Sequence, residues 1–507
     1  MITISLDEAN FEYDIHSLVK SFYPGEEVKI VADKEKIKAL EQEKTPLFHM
    51  EVSYVSKDST NLDWDVVRFE IWTPKVTGGI WEDGTYEKQE EAEAKSDFSH
   101  RKETKNRLKK ALYQMLNRYT NKELPWGTLT GIRPTKIPLG MLEEGIPAEE
   151  IRAYMKSTYY ATEQKIDLSI DIAKWELELL KPIDYEHGYS LYIGIPFCPS
   201  ICLYCSFSSS PLGIWKDRVE EYLDALDKEI EFIAKACKNR KLNTVYIGGG
   251  TPTTLSPKQL ERLLIKIEQS FDFSDLVEYT VEAGRPDSIT EEKLLVLRKH
   301  NISRISINPQ TMKQETLDFI GRHHTVEQTV ESFHLARKLG FDNINMDLIV
   351  GLPEETIEDV QATMEQIKRL NPDNLTVHSL AVKRAARLRM FQEENKMQLT
   401  NSWEIIDLTA RYAAEMGMKP YYLYRQKNMA GNFENVGYSK PQKAGIYNIL
   451  IMEEKQSIMA LGAGASSKYV LEHGARIERT ENVKDITLYL QRIDEMIERK
   501  REALGNI

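Results

Sequence analysis

Three of the chain's four cysteines, Cys198, Cys202 and Cys205, fall within the stretch CPSICLYCSF. A disulfide framework needs partners spread along the chain, whereas thiols this close together can converge on a metal centre. The spacing Cys-x3-Cys-x2-Cys lets one loop wrap a cubane iron-sulfur cluster, whose irons prefer thiolate ligands. It leaves one iron without a protein ligand. Cys237 sits in an apolar helical stretch and reads as a small buried hydrophobe. Zinc is the competing metal, but structural zinc loops usually come as two separated pairs, and no second pair accompanies this one. An open iron suits a small ligand that offers both an amine and a carboxylate.

The elements that must position such a loop follow directly. From residue 190 the chain repeats a short apolar run, a loop and an amphipathic helical pattern. The runs are SLYIGI (190–195), TVYIGG (244–249), VEYTVEA (277–283), ISRISIN (302–308), NINMDLIVG (343–351) and NLTVHSL (374–380). Helical periodicity occupies 216–237, 257–270, 290–300, 313–320, 326–339 and 355–370, with Ser, Thr or Pro near several expected caps. This alternation predicts a parallel sheet with right-handed crossovers. Six units predict a partial barrel, and barrels of this kind gather their chemistry in the loops at the carboxyl ends of the strands. The cysteine loop follows the first strand and GGGTPTT the second; Glu282 ends the third and Gln310 follows the fourth; Asp347 lies late in the fifth and His378 ends the sixth. Each has an ordinary explanation alone. Together, at one rim, they mark a site.

Before residue 190 the reading is less chemical. FHMEVSYV (48–55) and VVRFEIWT (66–73), separated by a polar turn, predict a hairpin. The charged run 81–97 is poor in large apolar residues and is expected to be a solvated loop or helix start. Leu108, Leu112, Met115, Leu116 and Tyr119 recur at helical spacing opposite Arg101, Lys105, Lys109 and Lys110. WGTLTGIRPTKIPLG (126–140) is a loop whose Arg133 and Lys136 either bind an anion or pair with acidic neighbours, and 148–180 is helical by period.

The 507 residues imply two to four domains, divided at 1–182 (α+β with a helical linker), 183–390 (the barrel) and 391–507 (a substrate-covering region). A formal net charge of −12 argues against general nucleic-acid binding. No basic N-terminal region precedes an apolar stretch, and no run reaches the roughly 18 to 20 apolar residues of a membrane span. A cytoplasmic protein with reduced thiols is expected.

CPSICLYC resembles the CxxxCxxC motif of the radical S-adenosylmethionine (SAM) enzymes. YIGIPFCPSICLYCSF and GGGTPTTL are similar to the oxygen-independent coproporphyrinogen III oxidase (coproporphyrinogen dehydrogenase) family, and GIRPTK, HSLAVKRAARL, GNFENVGYSKP and ALGAGASSK resemble its HemZ branch. The broader resemblance covers roughly 190–470, and the N-terminal region matches the narrower branch alone. It implies an α/β fold: a partial (β/α)6 radical SAM barrel with an N-terminal α+β domain and a C-terminal mixed α/β cap. It implies one 4Fe-4S cluster on Cys198, Cys202 and Cys205, and one or two SAM molecules. Tyr192, Gly249, Gly250, Thr251, Glu282, Gln310, Arg322, Asp347 and Ala381 match positions that surround SAM in the family. In that reading the glycines and Thr251 offer backbone donors, Glu282 and Asp347 take the amine and ribose hydroxyls, and Arg322 takes the carboxylate.

The implied reaction is oxidative decarboxylation of two propionates of coproporphyrinogen III to vinyls by a radical SAM oxidoreductase. An electron donor of flavodoxin or ferredoxin type would reduce the cluster. SAM would then split to methionine and a 5′-deoxyadenosyl radical that takes a propionate hydrogen. Lys383, Arg384 and Arg387 are the candidate propionate partners, because guanidinium pairs with carboxylate bidentately. Two positions depart from the decarboxylating members of the family. Phe207 stands where they carry a further cysteine, as it does in heme-binding chaperones of the family, and Gly194 stands where a histidine is usual. The alternatives are therefore a heme-binding chaperone, or a radical SAM methyltransferase or heme-degrading enzyme.

Overall fold

The computed structural model describes residues 1–32, 34–55, 66–77, 80–207, 209–381, 388, 401–426 and 433–505. They form two compact units, Met1–Asp171 and Ile172–Ile507.

The first unit contains β1 (Ile2–Leu6), α1 (Glu12–Phe22), β2 (Val28–Ile30), α2 (Lys34–Glu43), β3 (His49–Val55), β4 (Val66–Thr77), β5 (Ile80–Lys95), α3 (Arg101–Thr120), α4 (Lys136–Glu143) and α5 (Ala148–Tyr159). Helix α6 (Glu163–Leu180) runs across the division. The sheet order is β2-β1-β3-β4-β5. β3 and β4 form the expected antiparallel hairpin, and strict alternation sends Met50, Val52 and Tyr54 into the core.

The charged run 81–97 is neither loop nor helix: most of it belongs to the long strand β5. Its backbone is satisfied by the ladder with β4, and the small residues Ala92 and Ala94 face inward between Glu91, Glu93 and Lys95. Cross-strand pairs cover the wet face, Arg68 with Glu93 at 2.8 Å and Lys88 with Glu70 at 2.6 Å. A densely charged edge also resists pairing with another chain. In α3, Leu108, Leu112, Met115 and Leu116 are buried as their spacing requires. Lys109 is buried too, donating through Nζ to Thr130 Oγ1 at 2.9 Å. The stretch 126–140 is only partly loop, because α4 begins at Lys136.

The second unit carries the alternation. After β6 (Gly188–Ile195) come the short strands β7 (Phe197–Cys198) and β8 (Ser210–Pro211), the turn α7 (Leu212–Trp215) and α8 (Val219–Ala236). Next are β9 (Lys241–Gly249), α9 (Pro257–Ser270), β10 (Glu278–Gly284), α10 (Glu291–Lys299), β11 (Arg304–Ile307), α11 (Gln314–Phe319) and α12 (Val326–Lys338). Then follow β12 (Ile344–Val350), α13 (Ile357–Leu370) and β13 (Asn374–Ser379). The helix starts are chemically marked. Ser256, Thr325 and Thr356 each close a capping box with the residue three positions on, and Thr290 caps α10 through its hydroxyl. α9 buries Leu260, Leu263, Leu264 and Ile267 on one face.

β6, β9, β10, β11, β12 and β13 lie side by side, all parallel, in chain order. This is the partial (β/α)6 arrangement that the six apolar runs predict. Among the described residues the sheet continues beyond it at both ends. β14 (Lys419–Tyr424) and β15 (Asn435–Ser439) add antiparallel beyond β13. β16 (Ser457–Leu461) adds parallel beside β6, followed by β17 (Ser466–Leu471) and β18 (Arg476–Glu481).

Candidate active site: a cavity at the carboxyl ends of the parallel strands

A cavity of about 490 Å³ opens at the carboxyl ends of these strands. Of the fifteen residues expected to hold cluster, SAM or substrate, the structure brings twelve onto its wall: Cys198, Cys202, Cys205, Tyr192, Gly249, Gly250, Thr251, Glu282, Gln310, Arg322, Asp347 and Ala381, and the rim residue His378 joins them. Lys383, Arg384 and Arg387 lie outside the described residues.

The cysteine loop is held from several sides. β7 pairs with β8 across it, Leu203 N–H donates to Ile320 O at 3.0 Å, and Leu203 O accepts from Leu388 N–H at 2.9 Å. Ser200 Oγ donates to Gly321 O at 3.2 Å. Thr251 Oγ1 donates to Cys198 Sγ at 3.6 Å, and Ser209 Oγ lies 3.8 Å from Cys205 Sγ. The glycine loop after β9 presses against the same segment. Gly250 N–H donates to Ile195 O and Thr251 N–H to Phe197 O, both at 2.7 Å. A Cβ on Gly250 would stand 2.6 Å from Phe197 O, so only glycine permits this approach. Gly249 adopts φ +109, a backbone conformation that L side chains rarely take. The N–H groups of Gly250 and Thr251 are thus used to brace the cysteine loop, a different task from the ligand donors that the resemblance implies.

No three His, Cys, Asp or Glu side chains among the described residues converge tightly enough to hold a single metal ion. All three thiols line the cavity, and a cubane cluster takes one thiolate at each of three irons. Cys237 is buried at the end of α8 and does not reach the cavity.

In the same cavity, Glu282 accepts a hydrogen bond from Tyr246 OH and one from Gly249 N–H, and burial raises its carboxyl to about 7. Asp347 accepts from Asn345 Nδ2 at 2.7 Å and lies 4.0 Å from His378 Nε2. Burial lowers the His378 pKa, which keeps its ring neutral. Gln310 takes φ +70 and bridges to β12 alone, donating N–H to Asp347 O at 3.0 Å and accepting from Ile349 N–H at 2.9 Å. That kink turns its side chain into the cavity. Gln310 Oε1, Asn308 Oδ1, Ser306 Oγ and Arg322 Nε are buried without a hydrogen-bond partner. Buried polar atoms left unpaired in a roomy cavity fit a polar ligand. Together they offer both donors and acceptors, as an amino-acid and ribose-bearing cofactor requires.

Several cavity residues escape the sequence reading. Tyr246 stacks on Tyr447 at 4.5 Å between ring centroids and lies 6.2 Å from Tyr192, giving an aromatic wall beside Glu282. Arg304 is a fully buried arginine on the inward face of β11. The alternation in RISIN carried that information, since Arg304, Ser306 and Asn308 share one face and Ile305 and Ile307 the other. Arg285 contacts the cysteine loop from the end of β10 and has no local sequence signal.

Residues 192–367 match the model of the radical SAM superfamily. The class is therefore that of the radical SAM oxidoreductases, which implies a 4Fe-4S cluster and SAM binding. A Bacillus subtilis (strain 168) protein called oxygen-independent coproporphyrinogen-III oxidase-like protein HemZ is 41% identical over 413 residues, 80% of this chain and 82% of that one. The heme chaperone HemW of the same organism is 33% identical over 312 residues, 60% of this chain and 76% of that one. The solved structure of coproporphyrinogen III oxidase (HemN) from Escherichia coli, described as a radical SAM enzyme, aligns with TM-score 0.50 and 24% identity over 63% of this chain and 72% of that one, a likeness of fold. Within the class, the chain belongs to the oxygen-independent coproporphyrinogen-III oxidase-like family. No helix among the described residues is long and apolar enough to cross a membrane.

Proposed function

We propose that this protein is a cytoplasmic radical SAM enzyme that oxidatively decarboxylates two propionates of coproporphyrinogen III to vinyls. The observation that carries the reading is the convergence of three thiols, an aromatic wall, two carboxylates and unpaired polar atoms on one cavity at the sheet's carboxyl rim. A 4Fe-4S cluster and SAM held there would supply one-electron reduction and a carbon radical able to abstract hydrogen.

The chain's own residues do the rest. Cys198, Cys202 and Cys205 hold the cluster as thiolates, on a loop whose backbone is braced by Gly250 and Thr251. Glu282 and Asp347 orient SAM through its amine and ribose, and Arg322, with an unpaired Nε beside the cavity, takes its carboxylate. Tyr192, Tyr246 and Tyr447 wall off water from the reacting carbon. One SAM fills this role; a second would favour methyl transfer instead. Lys383, Arg384 and Arg387 receive propionates. Each propionate loses a hydrogen atom, carbon dioxide and one electron to become vinyl, so a one-electron acceptor is required as well as a donor of flavodoxin or ferredoxin type. The acidic chain is not expected to bind nucleic acid.

A second reading has its own observation. Phe207, where decarboxylating relatives carry cysteine, lines the cavity with 74% of its surface exposed, an apolar face suited to holding heme. Mass spectrometry of an anaerobic reaction with reconstituted protein, SAM, reductant and coproporphyrinogen III separates the two. Loss of two carboxyl groups with methionine and 5′-deoxyadenosine supports the decarboxylase. Coproporphyrinogen left unchanged there, with stable heme binding in a separate absorbance titration of the same protein with heme, supports the chaperone.

A further inference from the structure

We propose that Arg285 is a positioning residue that clamps the cysteine loop and raises the reduction potential of the cluster held there. The proposal rests on the reading of Cys202 as a cluster ligand.

Arg285 follows directly on β10, yet its side chain reaches the cysteine loop. Nη1 donates to Ser200 O at 3.1 Å, to Ser200 Oγ at 2.8 Å and toward Cys202 Sγ at 3.9 Å. The other edge of the guanidinium meets Asp287 bidentately, Nε to Oδ1 at 3.0 Å and Nη2 to Oδ2 at 2.6 Å. Only 4% of Arg285 is exposed. The planar fork is therefore fixed by one carboxylate and aimed at one loop, a geometry that lysine cannot reproduce. Ser200 relays the hold, accepting from Arg285 and donating to Gly321 O beside Arg322.

The electrostatic consequence follows from the sulfur contact. Reduction adds negative charge to a cluster, and hydrogen bonds to its sulfurs together with nearby positive charge favour the reduced form. Arg285 supplies both at Cys202. Asp287 opposes it by neutralising the guanidinium from behind. A buried arginine at this spot makes the first electron easier to deliver, and its acidic partner sets how much easier.

The two partners thus give predictions of opposite sign. The experiment is a redox titration, followed by electron paramagnetic resonance, of anaerobically reconstituted protein without SAM, with iron content measured alongside. Arg285→Met should shift the potential negative by at least tenfold in the reduction equilibrium, about 59 mV for one electron. Asp287→Asn, which keeps the side-chain shape and frees the positive charge, should shift it positive. Arg285→Lys should retain part of the shift while loosening iron binding.

A merely structural role for Arg285 predicts iron loss in the variants with an unmoved potential in whatever cluster remains, and that result overturns the proposal. Should Arg285→Met take up no iron, Asp287→Asn decides alone: a positive shift supports the proposal, while an unchanged or negative shift rejects it. Wild-type protein that binds no cluster overturns the ligand reading and this proposal with it. Iron-loaded wild type with unshifted variants overturns this proposal only.

Discussion

The Tyr246 hydroxyl donates to the Glu282 carboxylate inside the cavity, and burial outweighs that bond, raising the carboxyl to about 7. In the proposed function this carboxylate receives SAM in its ionised form, so the group that sets SAM binding titrates in the working range. Its native state holds the proton that the unfolded chain releases at ordinary carboxylate pH, so this group's contribution to stability falls as pH rises toward 7 and is level above it. SAM affinity runs the other way. Calorimetric titration across roughly pH 6 to 8 should show affinity climbing toward a plateau above 7, with a limiting slope of about tenfold per pH unit. Glu282→Gln should bind SAM more weakly and without that slope. An identical pH profile in the variant would remove Glu282 from the SAM site.

Gly250 is the point where the glycine loop meets the cysteine loop. Gly250→Ala places a methyl against Phe197 O and must push β7, which carries Cys198, away from β9. The expected outcome is a folded protein, by circular dichroism, that loses most of its iron on reconstitution. Full iron occupancy would mean that the brace is dispensable.

Lys500 and Glu229 form an ion pair at 2.8 Å with neither side chain exposed. Glu229 also accepts from Asn482 Nδ2, Gly462 N–H and Tyr489 OH, so the carboxylate joins α8 to the loop after β16 and to the C-terminal helices. Lys500→Met leaves a buried charge unbalanced and should cost about 3–5 kcal/mol. Glu229→Gln combined with Lys500→Met should recover part of that loss. Urea unfolding checks both, and a single variant as stable as the parent would contradict the burial of the pair.

Much of this architecture is readable from the chain, because each of the six parallel strands announces itself by an apolar run, and α9, α10, α12 and α13 announce themselves by a cap as well as by period. The rim residues could be gathered because barrels place chemistry after the strands. Other features leave no local trace. β16 pairs with β6 although the whole series of strands lies between them, and pairing at that separation has no periodic signature. β5 was masked by its charges, which decorate one face of a strand whose inner face needs only Ala92 and Ala94. Arg285 is legible only once β10 and the cysteine loop are seen together.

Arg384 tests the substrate side of the proposal. Arg384→Ala should weaken coproporphyrinogen binding about tenfold, the loss of a charged hydrogen-bonded contact, and leave SAM cleavage intact. Absorbance titration with the tetrapyrrole, beside a SAM cleavage assay, separates the two. Equal loss of both would assign Arg384 another task.

The central claim is that Cys198, Cys202 and Cys205 make this cavity a site of reductive SAM cleavage. The most direct measurement is chromatographic quantification of 5′-deoxyadenosine and methionine from anaerobically reconstituted protein with SAM and dithionite, wild type beside Cys202→Ser. The account predicts equal amounts of both products from the wild type, and neither product, with cluster absorbance lost, from a folded Cys202→Ser. Wild-type cleavage that persists undiminished in Cys202→Ser, with unchanged iron content, would contradict it.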